Sequence, residues 1–228
     1  MGTALLFGLG SAVPLVLGAW IGMRFALPKA ALAALMAFGG GTMIAAASEE
    51  LFGPAFAVLP AQGAGLALML GAATYVVANH LLDTRLGASA VGVSLMLGAV
   101  LDGIPENIAM GVSISAGGGL VLLVAIAIGN VPEAIGSAAT LRDDPKFGQT
   151  RALVLWSVVA LILVAVTVAA HAGADQMSPS AIAIVQAFAG GATIAVLADT
   201  LLPEAYRDGG WWVGIATAAG FYVAYLLG

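Results

Sequence analysis

The chain has 228 residues, 61% of them hydrophobic and 8% charged, with 31 Gly, 9 Pro and no Cys. A water-soluble domain carries roughly a quarter charged residues, so seven Lys/Arg and twelve Asp/Glu cannot coat a water-facing surface, and the mean hydropathy of +1.07 points the same way. Lipid is the expected solvent, disulfide and thiolate chemistry is excluded, and a net charge of −5 leaves no basic footprint for nucleic acid.

A membrane-crossing helix needs about 20 apolar residues. Breaks at charges and at Gly/Pro clusters place helices over roughly 3–23, 30–52, 61–82, 88–114, 119–141, 151–171, 179–202 and 210–227. The expectation is an all-α polytopic membrane protein with about eight transmembrane helices, built as a single transmembrane domain over 1–228. Met1-Gly2-Thr3-Ala4 carries no basic stretch and the first apolar run reaches Met23, so that run reads as a retained span rather than a signal peptide. Arg24 and Lys29 fall in the first connection and Arg85 in the third, which runs from Asp83 to Gly87. Arg142, Lys146 and Arg151 fall in the fifth, and Arg207 in the seventh. Basic residues confined to odd connections put those connections in the cytoplasm and both termini outside it. The even connections hold Ser115–Gly119 and the stretch around His171 and Asp175. His80 and His171, near helix ends, read as interfacial residues, and Trp211 with Trp212 as an interfacial anchor.

The sequence repeats itself. Phe38-Gly39-Gly40-Gly41-Thr42-Met43-Ile44-Ala45 in the second span resembles Phe188-Ala189-Gly190-Gly191-Ala192-Thr193-Ile194-Ala195 in the seventh, and Glu49 aligns with Asp199. Asp102-Gly103-Ile104-Pro105-Glu106-Asn107-Ile108 in the fourth recurs as Gly129-Asn130-Val131-Pro132-Glu133-Ala134-Ile135 in the fifth. Each pair would run in opposite directions, so the repeats are expected to be inverted. Inverted repeats with proline-interrupted helices in matching positions point to a secondary transporter and to its site.

The central pair carries the chemistry. Pro105 and Pro132 have no N–H, so the carbonyls of Leu101 and Ile128 lose their helical donors inside the membrane. A carboxylate follows each proline. Asp102 shares a helical face with Glu106, and Met110 follows a turn beyond; Asn130 and Ser137 share a face with Glu133. Two such helices facing each other would converge acids, an amide and a hydroxyl in an oxygen-rich cage. Intramembrane acids are costly and by default functional, and no span interior holds a Lys or Arg to pair them. A divalent cation is the simplest neutralising partner, with carboxylate and carbonyl oxygens favouring harder ions. Glu49 and Glu50 in the second span would attract cations at an outer entrance, and Asp199 in the seventh would assist release inside.

These residues resemble the ZIP family of divalent-metal transporters, whose signature is a His-Asn-x-Pro-Glu-Gly-like run in the fourth span and a related Pro-Glu-Gly-like run in the fifth. Asp102–Asn107 and Gly129–Ala134 look like those two runs, and the stretches around Glu49-Glu50-Leu51 and Asp199–Glu204 look like the family's second and seventh spans. The resemblance implies eight spans, inverted repeats, and a mid-membrane site with Asp102, Glu106, Asn130 and Glu133 as metal ligands. Asn107 stands next to that set as an accessory residue. The chain departs from the pattern where Asp102 and Gly129 replace the usual His, or His/Gln, and where the sixth span lacks an acid. It thus resembles a divergent member, expected to hold one ion rather than two. The implied function is transport of Zn, Fe or Mn as substrate, with no organic cofactor and no enzymatic activity. The expected setting is the bilayer of a prokaryotic inner membrane, with a homodimer as the assembly. The competing classes are a proton-coupled carrier or cation channel for another substrate and an intramembrane enzyme. The enzyme is disfavoured because no His-Glu-x-x-His, Gly-x-Gly-Asp or Gly-x-Ser-x-Gly run is present.

Overall fold

The computed structural model describes residues 1–86, 91–142 and 148–227, and these are helical with no strand among them. Gly87 and Lys146, placed above in the third and fifth connections, and the expected helix start at 88 lie outside the described residues. The helices are α1 (Gly2–Arg24), α2 (Lys29–Val58), α3 (Ala61–Leu86), α4 (Val91–Ser115), α5 (Leu120–Arg142), α6 (Gln149–Ala174), α7 (Pro179–Gly209) and α8 (Val213–Tyr225). Seven of the helices among the described residues are long and apolar enough to cross a membrane. The protein is therefore an integral membrane protein.

The expected eighth span is shorter than the sequence suggested. Gly210, at φ 82°, and the turn at Trp211–Trp212 delay the start of α8, which has 13 residues. At 1.5 Å per residue that is roughly 20 Å, against a hydrocarbon core of about 30 Å. α2 and α7 overrun their expected ends furthest. α2 continues beyond 52 to Val58 and α7 beyond 202 to Gly209, each through a π-helical turn, at Ala47–Phe52 and Leu197–Leu201. Pro54 and Pro203 follow these turns. A proline cannot donate to the carbonyl four residues back, so Pro54 leaves the Glu50 carbonyl free. The side-chain amide of Gln186 on α7 donates to that oxygen at 3.1 Å.

Packing in lipid gains nothing from burying apolar area between helices, so it relies on close backbone approach through small residues. α2 packs on α8 and α3 packs on α7, and both pairs use the same reciprocal device. A Cβ at Gly41 would overlap the Thr217 carbonyl and one at Gly220 the Phe38 carbonyl; Gly191 meets the Leu68 carbonyl and Gly71 that of Phe188 in the same way. α1 lies against α5 and α6, and α4 against α6 and α7. Arg142 donates to the carbonyls of Gly22 and Phe25 at 3.2 and 3.0 Å, fastening the C-terminal ends of α1 and α5. Together these contacts place α2, α4, α5 and α7 around a common centre.

Candidate functional site

Asp102 and Glu106 on α4 and Asn130 and Glu133 on α5 line one cavity of about 30 Å³ at that centre. Met36 and Met43 of α2, Ile126 of α5, and Thr200, Leu201 and Glu204 of α7 stand among the other wall residues. The space suits an ion or a water or two. Asp102, Glu106 and Asn130 are buried, at 8%, 9% and 4% exposure, and Glu133 is half-buried. An acid placed in a transmembrane helix costs roughly 2.5–3.5 kcal/mol on insertion scales, so several acids on one small cavity are not incidental.

The four residues are held differently. The Tyr75 hydroxyl on α3 donates to Asp102 Oδ1 at 2.7 Å. The Asn130 amide nitrogen donates to the Ser11 carbonyl at 2.8 Å, which leaves its Oδ1 as the remaining acceptor. Glu106 and Glu133 have no hydrogen-bond partner among the described residues, and no Lys, Arg or His lines the cavity. The sequence led us to expect a closed cage. Instead, among the described residues, no three His, Asp or Glu side chains stand close enough to hold one ion together. Like charges explain the spacing: at 4 Å two carboxylates repel by about 4 kcal/mol at an effective dielectric of 20. The acids share a wall without closing it.

The accessory residues separate into three groups. Ser137 and Asp199 line a larger polar vestibule of about 360 Å³ with Asn79, Asp83 and Thr140, and this vestibule shares Asp102, Glu133, Thr200 and Glu204 with the central cavity. Glu49 and Glu50 line a separate pocket of about 460 Å³ near the α4–α5 connection, with Ser113, Gly118 and Gln186. Glu50 has a structural task there. Its carboxylate accepts the backbone N–H groups of Gly119, Val121 and Leu122 at 2.5, 2.8 and 3.3 Å and so caps α5, where the N-terminal dipole and unpaired donors favour an anion.

Asn107 and Met110 do not reach the cavity, contrary to the sequence reading. The Asn107 amide donates to the Gly103 carbonyl at 2.8 Å and accepts the Ser11 and Thr167 hydroxyls at 3.0 and 2.9 Å, which ties α4 to α1 and α6. Every polar atom of this fully buried side chain is occupied. Met110 is fully buried in an apolar cluster with Met43, Leu51, Leu122 and Ile126. Met43 and Ile126 of that cluster line the central cavity, whereas Met110 lines neither it nor the Glu49–Glu50 pocket.

Tyr75, Thr200, Glu204, Met36 and Met43 are wall or support residues that sequence reasoning did not assign. Pro203-Glu204 repeats the dipeptide of Pro105-Glu106 and Pro132-Glu133, a signal that was available. Tyr75 stands in no motif. No protein-family model matches the sequence, and no curated protein matches it.

Proposed function

We propose that the protein transports a divalent metal cation across the membrane, in the manner of the ZIP transporters whose motifs its fourth and fifth helices resemble. One observation carries this reading: buried and half-buried carboxylates on two proline-containing helices line one small cavity with no basic residue, and Glu106 and Glu133 have no hydrogen-bond partner among the described residues. A dry site with several negative charges requires a compensating positive charge. A dication supplies it in one particle, and Asn130 Oδ1 and the cavity carboxylates supply oxygen ligands suited to Mn²⁺, Fe²⁺ or Zn²⁺. The ion is the substrate of this site. Drawing the carboxylates onto it would replace their mutual repulsion with attraction.

Access is one-sided. The polar vestibule reaches Asp102 and Glu133 and shares them with the cavity, whereas the Glu49–Glu50 pocket shares no lining residue with the cavity, whose wall there includes Met43 and Ile126 of the apolar cluster that also holds Met110. With the basic connections in the cytoplasm and both termini outside, the vestibule faces inward and the pocket outward. Transport then requires the apolar cluster to part as the vestibule closes. The repeated glycine contacts of α2–α8 and α3–α7 and the paired π-helical turns support an inverted repeat as the basis of that exchange. Purified protein in liposomes loaded with a metal-sensitive dye tests the reading. Saturable Mn²⁺, Fe²⁺ or Zn²⁺ entry is expected, and no entry above that of empty liposomes, with correctly folded protein in the bilayer, contradicts it.

A further inference from the structure

We propose that Tyr75 is a specificity-determining positioning residue: by hydrogen-bonding one oxygen of Asp102 it weakens that oxygen as a ligand, favours binding of the cation through the other alone, and so discriminates against Ca²⁺. The inference rests on the transport reading above. Tyr75 sits on α3, outside the helices that carry the candidate ligands, and is 2% exposed. Its hydroxyl donates to Asp102 Oδ1 at 2.7 Å and lies 3.3 Å from the Thr200 hydroxyl. The Thr200 hydroxyl donates to the Val196 carbonyl at 2.9 Å. A phenol has one proton to give. With that proton on Asp102 and the Thr200 proton on Val196, the single donor of the phenol, carried by α3, points at one carboxylate oxygen on α4. Asp102 Oδ2 has no protein donor among the described residues and is the oxygen left for a ligand in the cavity.

The consequence follows from the demands of the ions. Ca²⁺ takes six to eight oxygens and commonly binds carboxylates through both oxygens at about 2.3–2.6 Å. Zn²⁺ and other small first-row ions accept one oxygen per carboxylate, in geometries of four to six ligands. An Asp102 locked by a phenol serves the second group and falls short for the first. Glu106 and Glu133, with no such lock, cannot make this distinction. The phenol is therefore placed where it sets ion size and coordination number without touching the ion.

The test uses full-length protein in liposomes and the ratio of initial uptake rates for Ca²⁺ and Mn²⁺. Tyr75→Phe keeps the ring and removes only the hydroxyl. It is expected to raise the Ca²⁺/Mn²⁺ ratio by about tenfold, as the loss of a hydrogen bond to a charged group implies. In an Asp102→Ala background, Tyr75→Phe should leave the ratio where Asp102→Ala alone puts it, because no carboxylate remains to be locked. A role in folding alone would lower both rates together and leave the ratio fixed. An unchanged ratio in Tyr75→Phe, with Mn²⁺ uptake intact in the unaltered protein, overturns this inference and leaves the transport reading standing. Absence of any cation uptake by the unaltered protein overturns both.

Discussion

Replacing both Glu106 and Glu133 by glutamine is expected to remove saturable divalent-cation uptake while folded protein remains in the membrane. Each glutamate is a charged partner for a cation in a dry site, and removing one partner of a buried pair costs about 3–5 kcal/mol, or roughly 10²–10⁴-fold. Either single variant should therefore reduce uptake by about two orders of magnitude, and the double variant to background. Thermal stability should not fall with it. Neither carboxylate holds a hydrogen bond among the described residues, so glutamine takes away repulsion and no native contact. Glu49, at the separate pocket, gives the contrast: Glu49→Ala should raise KM and leave kcat unchanged if that acid only concentrates cations at the mouth. Uptake rates of the variants against equal amounts of folded protein decide this. Unaltered uptake by Glu106→Gln/Glu133→Gln would remove the site assignment.

Apparent affinity for the metal is expected to rise with pH. Protons and the cation compete for the same carboxylate oxygens, and a carboxylate must be deprotonated to ligate. At low pH the acids carry protons and the ion meets neutral groups. As pH rises the protons leave and the ligands become anionic, so each proton displaced by the metal strengthens apparent binding about tenfold per pH unit until the site is fully deprotonated. Asp102 belongs to this set because Oδ2 is open to the cavity, so Asp102→Asn should flatten the slope. Competition uptake at roughly pH 6 and pH 8 reads it directly. A flat profile in the unaltered protein would mean that no titrating carboxylate ligates the ion.

How far the sequence reached depends on the scale of each feature. Hydropathy averaged over a span located the helices, since a window of about 20 residues registers the bilayer thickness. It does not register a π-helical turn, and the reading stopped α2 and α7 near their charges instead of carrying them through to Val58 and Gly209. The short α8 failed the same way: Trp211 and Trp212 are apolar and add to the average, while Gly210 sets where the helix starts. In the site, Pro105-Glu106 and Pro132-Glu133 were legible because a proline and an acid together inside a membrane have few structural uses. Asn107 was misread through proximity. It is adjacent to Glu106 in sequence but about 100° around the helix, on the face that meets Ser11 and Thr167. Met110 shares the Glu106 face by periodicity, yet one turn higher the neighbours are Leu122 and Ile126, and the face has become apolar core. Tyr75 depends on the packing of α3 against α7 beside α4, which no local pattern encodes. Glu50 was read as an acid attracting cations at an outer entrance, and only the tertiary fold brings Gly119, Val121 and Leu122 to it.

The central claim is that one cation sits between α4 and α5 at the shared carboxylate cavity. Anomalous scattering from crystals grown with Mn²⁺, and separately with Zn²⁺, tests this most directly. The expected result is a peak inside the cavity within about 2.0–2.3 Å of carboxylate oxygens, with Asp102, Glu106 or Glu133 among its ligands, that is lost in Glu106→Gln/Glu133→Gln. A cavity without a peak in protein that transports the same ion, or peaks confined to the Glu49–Glu50 pocket, would contradict it.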